Sequence, residues 1–137
     1  MGTTLSCCLI RKQHLIYAHV GDSRLYRYRQ QLDQLTEDHS LRSKEQKLHS
    51  TPPQRHIITR AIGAFAHTYP DIGIIPLYPN DLYMLCSDGL SDYVSKNTLA
   101  TLLGSSTCLE QTGHHLIKAA LEKGGNDNIT LLLGRII

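Results

Sequence analysis

Three aspartates lie where strand-like apolar runs meet loops, and carboxylates in such positions can bind a divalent cation. Asp22 and Asp88 each follow an apolar run, and Asp127 precedes the run that begins at Ile129. Carboxylate oxygens are ligands that suit Mg²⁺ and Mn²⁺ in proteins. Each aspartate also lies beside a glycine or an asparagine, so an ordinary turn explains each of them taken singly. Their recurrence at strand ends favours part of a metal site.

The elements that would position these aspartates follow from the spacing of apolar residues. Apolar runs, several of them alternating with period two, predict strands over residues 3–10, 15–20, 23–28, 82–86 and 129–137. A turn is predicted over residues 30–33. The polar segment 37–55 contains two adjacent prolines, which predicts a short helix or an irregular loop.

Two helices are predicted in the last third of the chain. Ser95 is a suitable N-cap for a helix over residues 96–103, and Gly124 with Gly125 ends a second helix over residues 108–123. The apolar residues predicted to share one face of the second helix are Leu109, Leu116, Ile117, Ala120 and Leu121. Strands, two late helices and a final strand predict an α+β fold, in which helices cover an antiparallel sheet.

The composition argues against several classes of partner. The chain has 137 residues, with 14 Lys and Arg against 12 Asp and Glu, and 6% aromatic residues. A formal charge of +2 and scarce aromatic rings disfavour a nucleic-acid-binding β-domain. No segment approaches the roughly 20 apolar residues of a membrane span, and the first residues do not resemble a signal peptide. We therefore expect neither a nucleic acid nor a membrane as partner.

The four cysteines predict a reducing compartment. They form no Cys-x-x-Cys pair, which argues against a disulfide framework or a zinc knuckle. Cys7, Cys8 and Cys86 lie inside apolar runs and are predicted to be buried free thiols. The expected location is cytoplasmic.

Six short segments resemble, in their order, the successive motifs of the metal-dependent Ser/Thr protein phosphatases of type 2C. They are Gly2–Leu5, Ala18–Arg24, Leu35–Ser40, Ile58–Gly63, Ser87–Asp92 and Gly125–Thr130. A single Ser-Asp-Gly is uninformative, but six segments in this order are specific. The resemblance implies a β-sandwich of two antiparallel sheets flanked by helices. It also implies two Mn²⁺ or Mg²⁺ ions, whose activated water attacks phosphoserine or phosphothreonine.

The resemblance also assigns roles to particular residues. Asp88 and Asp127 correspond to ligands of one ion of the pair. Asp22 corresponds to a residue that, with the Asp88 equivalent, holds a third and weaker ion in bacterial members. Asn128 is expected to orient the loop that carries Asp127. Gly89 either allows a close backbone approach or belongs to an ordinary turn.

One motif of the family is absent from these residues. The family carries an Asp-Gly-x-Gly-Gly segment, with a bridging Asp, before the Gly-Thr-Thr strand, and the 137 residues contain no such segment. We therefore expect residues 1–137 to form a single partial catalytic domain, incomplete at its N-terminal side. We expect the isolated chain to be inactive or weak, and to self-associate through the truncated face. The segment between His39 and Arg55 is also shorter than the flap usual in the family.

Two functions follow from the resemblance. In the first, the complete parent protein hydrolyses phosphoserine and phosphothreonine in protein substrates, as part of signalling by a Ser/Thr kinase. In the second, the same fold is a pseudophosphatase or a non-enzymatic protein-binding domain. Retention of Asp22, Asp88 and Asp127 favours the first, because clustered carboxylates repel one another and cost stability without a cation.

Overall fold

A computed structural model describes residues 1–41, 57–105 and 107–137, so the prediction for segment 37–55 falls largely outside the described residues. Within them the chain forms two compact units. The first contains Met1–Ser23 and Thr36–Pro76, and the second contains Arg24–Leu35 and Leu77–Ile137. The antiparallel sheets and the helices described below agree with the predicted α+β class.

The first unit contains a three-stranded antiparallel sheet with the order β1-β2-β5. Its strands are β1 (Leu5–Arg11), β2 (His14–Val20) and β5 (Asp71–Pro76). Two isolated bridges, Thr3 with Ile62 and Ser40 with Ile58, attach neighbouring segments of the same unit. Opposite Gly73 of β5 lies Tyr17 of β2, and a Cβ at position 73 would collide with the Tyr17 ring.

The second unit contains a four-stranded antiparallel sheet with the order β4-β3-β6-β7 and three helices. The strands are β3 (Arg24–Arg29), β4 (Gln31–Gln34), β6 (Leu82–Cys86) and β7 (Leu131–Arg135). The helices are α1 (Asp88–Ser91), α2 (Lys96–Gly104) and α3 (Leu109–Glu122). Met84 of the sheet and Leu90, Leu99 and Leu116 of the helices are nearly inaccessible to solvent and belong to one apolar core.

The predicted helix ends agree with the structure. Ser95 caps α2, since its hydroxyl accepts a hydrogen bond from the backbone N–H of Thr98. Gly124 and Gly125 follow α3 with φ values of 117° and 55°, which is backbone that glycine adopts at low cost. Of the face predicted for α3, Leu116 and Ala120 are buried. The prediction for Leu121 is wrong: its side chain is 57% exposed.

Two further predictions need correction. The predicted turn over residues 30–33 is wrong beyond Gln30: the chain turns at Gln30, whose φ is 63°, and β4 begins at Gln31. Cys7 and Cys8 are exposed, because both lie in β1, which is largely exposed on both faces; Cys86 is buried as predicted. Sequence reasoning also missed the single-turn helix α1. In the parts of the chain that the structure describes, no helix is long and apolar enough to cross a membrane.

An ion pair between the buried Asp81 and the partly exposed Arg29 fixes the start of β6, the strand that leads to Asp88. The Asp81 carboxylate is fully buried and receives two hydrogen bonds from the Arg29 guanidinium, at 2.5 and 2.6 Å. It also accepts bonds from the Tyr78 N–H and the Tyr83 hydroxyl. Burial opposes ionisation, but these bonds outweigh it and lower the pKa of Asp81 below its usual value. Burial, reinforced by the Asp81 charge, raises the pKa of Tyr83 to about 12.

We expect Asp81→Asn to destabilise the chain by about 2 kcal/mol, since it leaves the Arg29 charge without its carboxylate while Arg29 still reaches water. The pKa of Asp81 is lowered in the folded state. Its contribution is therefore present above the ordinary carboxyl pKa and is lost as the pH falls through the lowered value. Urea unfolding at several pH values measures both effects. Asp33→Asn, which removes a more exposed partner of Arg27, is the matched control and should change stability by less than about 1 kcal/mol. Equal losses in the two variants would contradict the prediction.

Candidate metal centre

Asp88 and Asp127 lie at the same end of the second sheet because β6 and β7 run antiparallel. Cys86, the last residue of β6, pairs with Leu131, the first residue of β7. The residues that follow β6 therefore lie beside the residues that precede β7. Asp88 follows Cys86 by two residues, and Asp127 precedes Leu131 by four. The pairing therefore brings two carboxylates that are 39 residues apart in the sequence to one sheet end.

Ser87 fastens the two segments to each other. Its backbone N–H donates to the Thr130 carbonyl at 3.0 Å. Its hydroxyl accepts from the Thr130 N–H at 3.0 Å and donates to the Asn128 carbonyl at 3.1 Å. We call this set of three bonds the Ser87 clamp. It was not predicted from the sequence, although a small hydroxyl residue directly before Asp88 was a visible signal.

Gly89 is required by a close approach of backbone to backbone. The residue is buried as the second residue of α1, and a Cβ there would collide with the Asn128 carbonyl oxygen. Of the two readings left open by the sequence, the geometry supports close approach. Asn128 takes part in these contacts through its backbone, since its carbonyl accepts from Ser87 and its N–H donates to Asp127 Oδ1 at 2.7 Å. Asp127 is exposed and Asp88 is half-buried.

Asp22 belongs to the first unit, where it lies in the loop between β2 and β3. Gly21 before it has a φ of 111°, and a Cβ there would collide with the Thr4 side chain. Ser23 after it is held by the Thr4 hydroxyl, with an Oγ–Oγ1 distance of 3.0 Å. Asp22 itself is half-buried. The contacts of Gly21 and Ser23 with Thr4 fix the loop on both sides of it.

Two buried histidines beside this loop were not assigned a role from the sequence. His19 and His39 are 1% and 5% exposed, and their ring centroids lie 4.8 Å apart. Burial, with the neighbouring His39 ring, lowers the pKa of His19 below its usual value. The signals available in advance were the position of His39 within an Asp-His-Ser motif and the position of His19 in a strand.

The donor type at these positions suits a hard divalent cation. Carboxylate oxygens and exposed backbone carbonyls bind Mg²⁺ and Mn²⁺, and the rest of the coordination shell is water. Among the described residues, however, no three His, Cys, Asp or Glu side chains form a group that could hold a metal ion. Of the candidate carboxylates, Asp88 and Asp127 belong to the second unit and Asp22 belongs to the first.

Comparison with known proteins identifies the class. Residues 1–47 match the family model described as Protein phosphatase 2C. Protein phosphatase PhpP of Streptococcus pneumoniae is 38% identical over 141 residues, covering 97% of this chain and 57% of that protein. The serine/threonine phosphatase of S. agalactiae superposes with a TM-score of 0.93 at 36% identity, covering 100% of this chain and 60% of that one.

A further solved structure is the catalytic domain of the phosphatase PstP in complex with two manganese ions. It superposes with a TM-score of 0.88 at 35% identity and covers 100% of this chain and 60% of that one. In sequence and in fold the chain therefore resembles one class, the Ser/Thr protein phosphatases. Within that class, the matches confirm the resemblance to the type 2C family and its fold. The chain spans 57% of the length of the curated relative PhpP.

We expect Ser87→Ala to loosen the segment that leads into β7, since it removes both hydroxyl bonds of the Ser87 clamp. The free energy of unfolding should fall by about 1–2 kcal/mol, and amide hydrogen exchange at Thr130 should become faster. Ser105→Ala is the control, because its hydroxyl donates to a helix carbonyl at the end of α2. Unchanged exchange at Thr130 in the Ser87 variant would show that the backbone ladder alone holds the segment.

Proposed function

We propose that the complete protein containing this chain is a metal-dependent phosphatase of type 2C, acting on phosphoserine and phosphothreonine in proteins. One observation carries the proposal: the whole chain superposes on a serine/threonine phosphatase with a TM-score of 0.93 at 36% identity. In this proposal residues 1–137 form part of one catalytic domain. Phosphorylated proteins produced by a Ser/Thr kinase are the substrates.

In this proposal, residues of this chain bind divalent cations. Asp88 and Asp127 would bind one ion of a Mn²⁺ or Mg²⁺ pair, and Asp22 would help to bind a third. The Ser87 clamp and the close approach at Gly89 fix the two segments that carry Asp88 and Asp127. When bound, such ions activate a water and neutralise charge on the phosphoryl group. The two manganese ions in the structure of PstP support the choice of metal.

The proposed location is the cytoplasm, and the proposed role is signalling. The four cysteines are free thiols, although two of them lie in the same exposed strand, which favours a reducing compartment. A cytoplasmic phosphatase would reverse the action of a Ser/Thr kinase in the same compartment.

The second candidate is a pseudophosphatase or a protein-binding domain on the same fold. The observation that favours it is the lack of a three-ligand metal group among the described residues. A hard cation held by two carboxylates keeps most of its waters and binds weakly. The activity of the complete protein discriminates between the two candidates.

We expect the complete protein to hydrolyse p-nitrophenyl phosphate and a phosphothreonine peptide with Mn²⁺, and to stop when the metal is chelated. Asp88→Asn and Asp127→Asn should each lower turnover by about 100-fold or more, because each removes a proposed metal ligand. Asp33→Asn is the matched control, since it neutralises a carboxylate that is paired with Arg27. The 137-residue chain alone should be similarly impaired. A complete protein without metal-dependent turnover would favour the binding-domain candidate.

We also propose that the 137-residue chain, taken alone, self-associates through one face of its first sheet. The pairing register places Leu5, Leu9, Ile72 and Ile74 on the same face, and their side chains are 51%, 59%, 68% and 64% exposed. Neighbouring apolar side chains of this exposed fraction are uncommon on a soluble surface. A second copy offers the same four apolar side chains.

We expect light scattering at tens of micromolar to show a dimer or a larger species. Ile74→Lys should shift the chain towards monomer, because it places a charge among these apolar side chains. Ile10→Lys is the control: Ile10 is 58% exposed but pairs with Leu15 on the opposite face. A monodisperse wild-type monomer, or an equal effect of both variants, would contradict the proposal.

A further inference from the structure

His39 forms hydrogen bonds to Gly21, the residue before Asp22, with both its side chain and its backbone. Its ring Nδ1 accepts a hydrogen bond from the Gly21 N–H at 3.1 Å. Its backbone N–H donates to the Gly21 carbonyl at 2.7 Å. Gly21 is buried and cannot carry a side chain beside Thr4, so the peptide has little freedom to find other partners.

The hydrogen bond from Gly21 fixes the tautomer of His39. Because the Gly21 N–H is a donor, Nδ1 must be unprotonated, and the ring proton is then on Nε2. Nε2 donates to Asp71 Oδ2 at 2.8 Å. The other oxygen of Asp71 accepts from the Arg60 guanidinium at 2.7 Å. The bond from His39, helped by Arg60, lowers the pKa of Asp71, so the carboxylate is ionised and remains an acceptor.

The opposite side of the same loop is held from β1. Ser6 Oγ lies 2.8 Å from His19 Nδ1, and His19 Nε2 lies 3.2 Å from the Glu37 carbonyl. A carbonyl accepts, so His19 carries its proton on Nε2 and its Nδ1 accepts from Ser6. The ring of His19 packs on the ring of His39, which restricts the rotation of both. The tautomer of His19 is therefore set by two neutral partners, Ser6 and the Glu37 carbonyl. The tautomer of His39 is set by the Gly21 N–H and Asp71.

We propose that His39 is a positioning residue for Asp22: with its proton placed by Asp71, it accepts from the Gly21 N–H and so fixes the backbone that presents the Asp22 carboxylate to a divalent cation. The inference rests on the proposed function, because it takes Asp22 as a ligand of the third ion. His39 itself does not contact the cation. Its action is geometric, since a displacement of the Gly21–Asp22 peptide changes the placement of the carboxylate.

Two substitutions of His39 separate this role from simple packing. In His39→Asn the amide oxygen lies near the former position of Nδ1, so the acceptor for the Gly21 N–H is kept and the link to Asp71 is lost. In His39→Gln the amide nitrogen lies near the former position of Nε2, so the link to Asp71 is kept and the acceptor is lost. Both variants remove the ring and its packing on His19. A merely structural role for the ring predicts the same result for both.

The first readout is the Gly21 amide in the ¹H–¹⁵N spectrum of the complete protein, without added metal. We expect His39→Gln to move this resonance upfield and to speed its hydrogen exchange at least tenfold, and His39→Asn to stay near wild type. His14→Gln, a substitution of an exposed histidine, is the control. An unchanged Gly21 amide in His39→Gln would overturn the proposal.

The second readout is Mn²⁺ binding to the complete protein by calorimetric titration. We expect Asp22→Asn to abolish the weakest binding step, His39→Gln to weaken it five- to tenfold, and His39→Asn to retain it within about twofold. Equal weakening by the two His39 variants, or unchanged binding by Asp22→Asn, would overturn the proposal. Absent turnover in the unsubstituted protein would instead be a failure of the proposed function, and it enters neither readout.

Discussion

The antiparallel pairing of β6 with β7 is the interaction on which the candidate site depends. The five residue pairs place the exit of one strand beside the entrance of the other, and the Ser87 clamp extends the pairing by one step. Hydrogen bonds between backbone groups cannot shift by one residue without turning every side chain of the strand to the other face. Met84 is completely buried on β6, so such a shift would expose the core. The positions of Asp88 and Asp127 are therefore consequences of core packing.

The two units hold their aspartates by different means. In the second unit, a serine hydroxyl and a glycine bring two backbone segments into contact. In the first unit, a buried histidine and a glycine with positive φ fix a loop. In both cases a glycine allows an approach that a side chain would prevent. This recurrence explains why Asp22 and Asp88 each have a glycine beside them, which from the sequence alone is also typical of an ordinary turn.

Sequence reasoning reached the elements and the motifs more easily than the contacts between them. The cap at Ser95 and the end of α3 at Gly124 depend on neighbouring residues, so local patterns predicted them. The exposure of Cys7 was mispredicted because apolar content does not show whether another layer covers a strand. The Ser87 clamp joins residues more than 40 positions apart and depends on the register of two strands. The tautomer of His39 depends on Gly21 and Asp71, which come from separate segments, and no local pattern contains it.

The pair formed by Tyr17 and Gly73 limits how the first sheet can diverge among related chains. The Tyr17 ring occupies the space above Gly73 on the adjacent strand, where even a methyl group would collide with it. An aromatic ring across a strand glycine restores packing that the glycine alone cannot provide. A change at one position is thus tolerated when the other changes with it. In an alignment of related chains, positions 17 and 73 should covary, although 55 residues separate them.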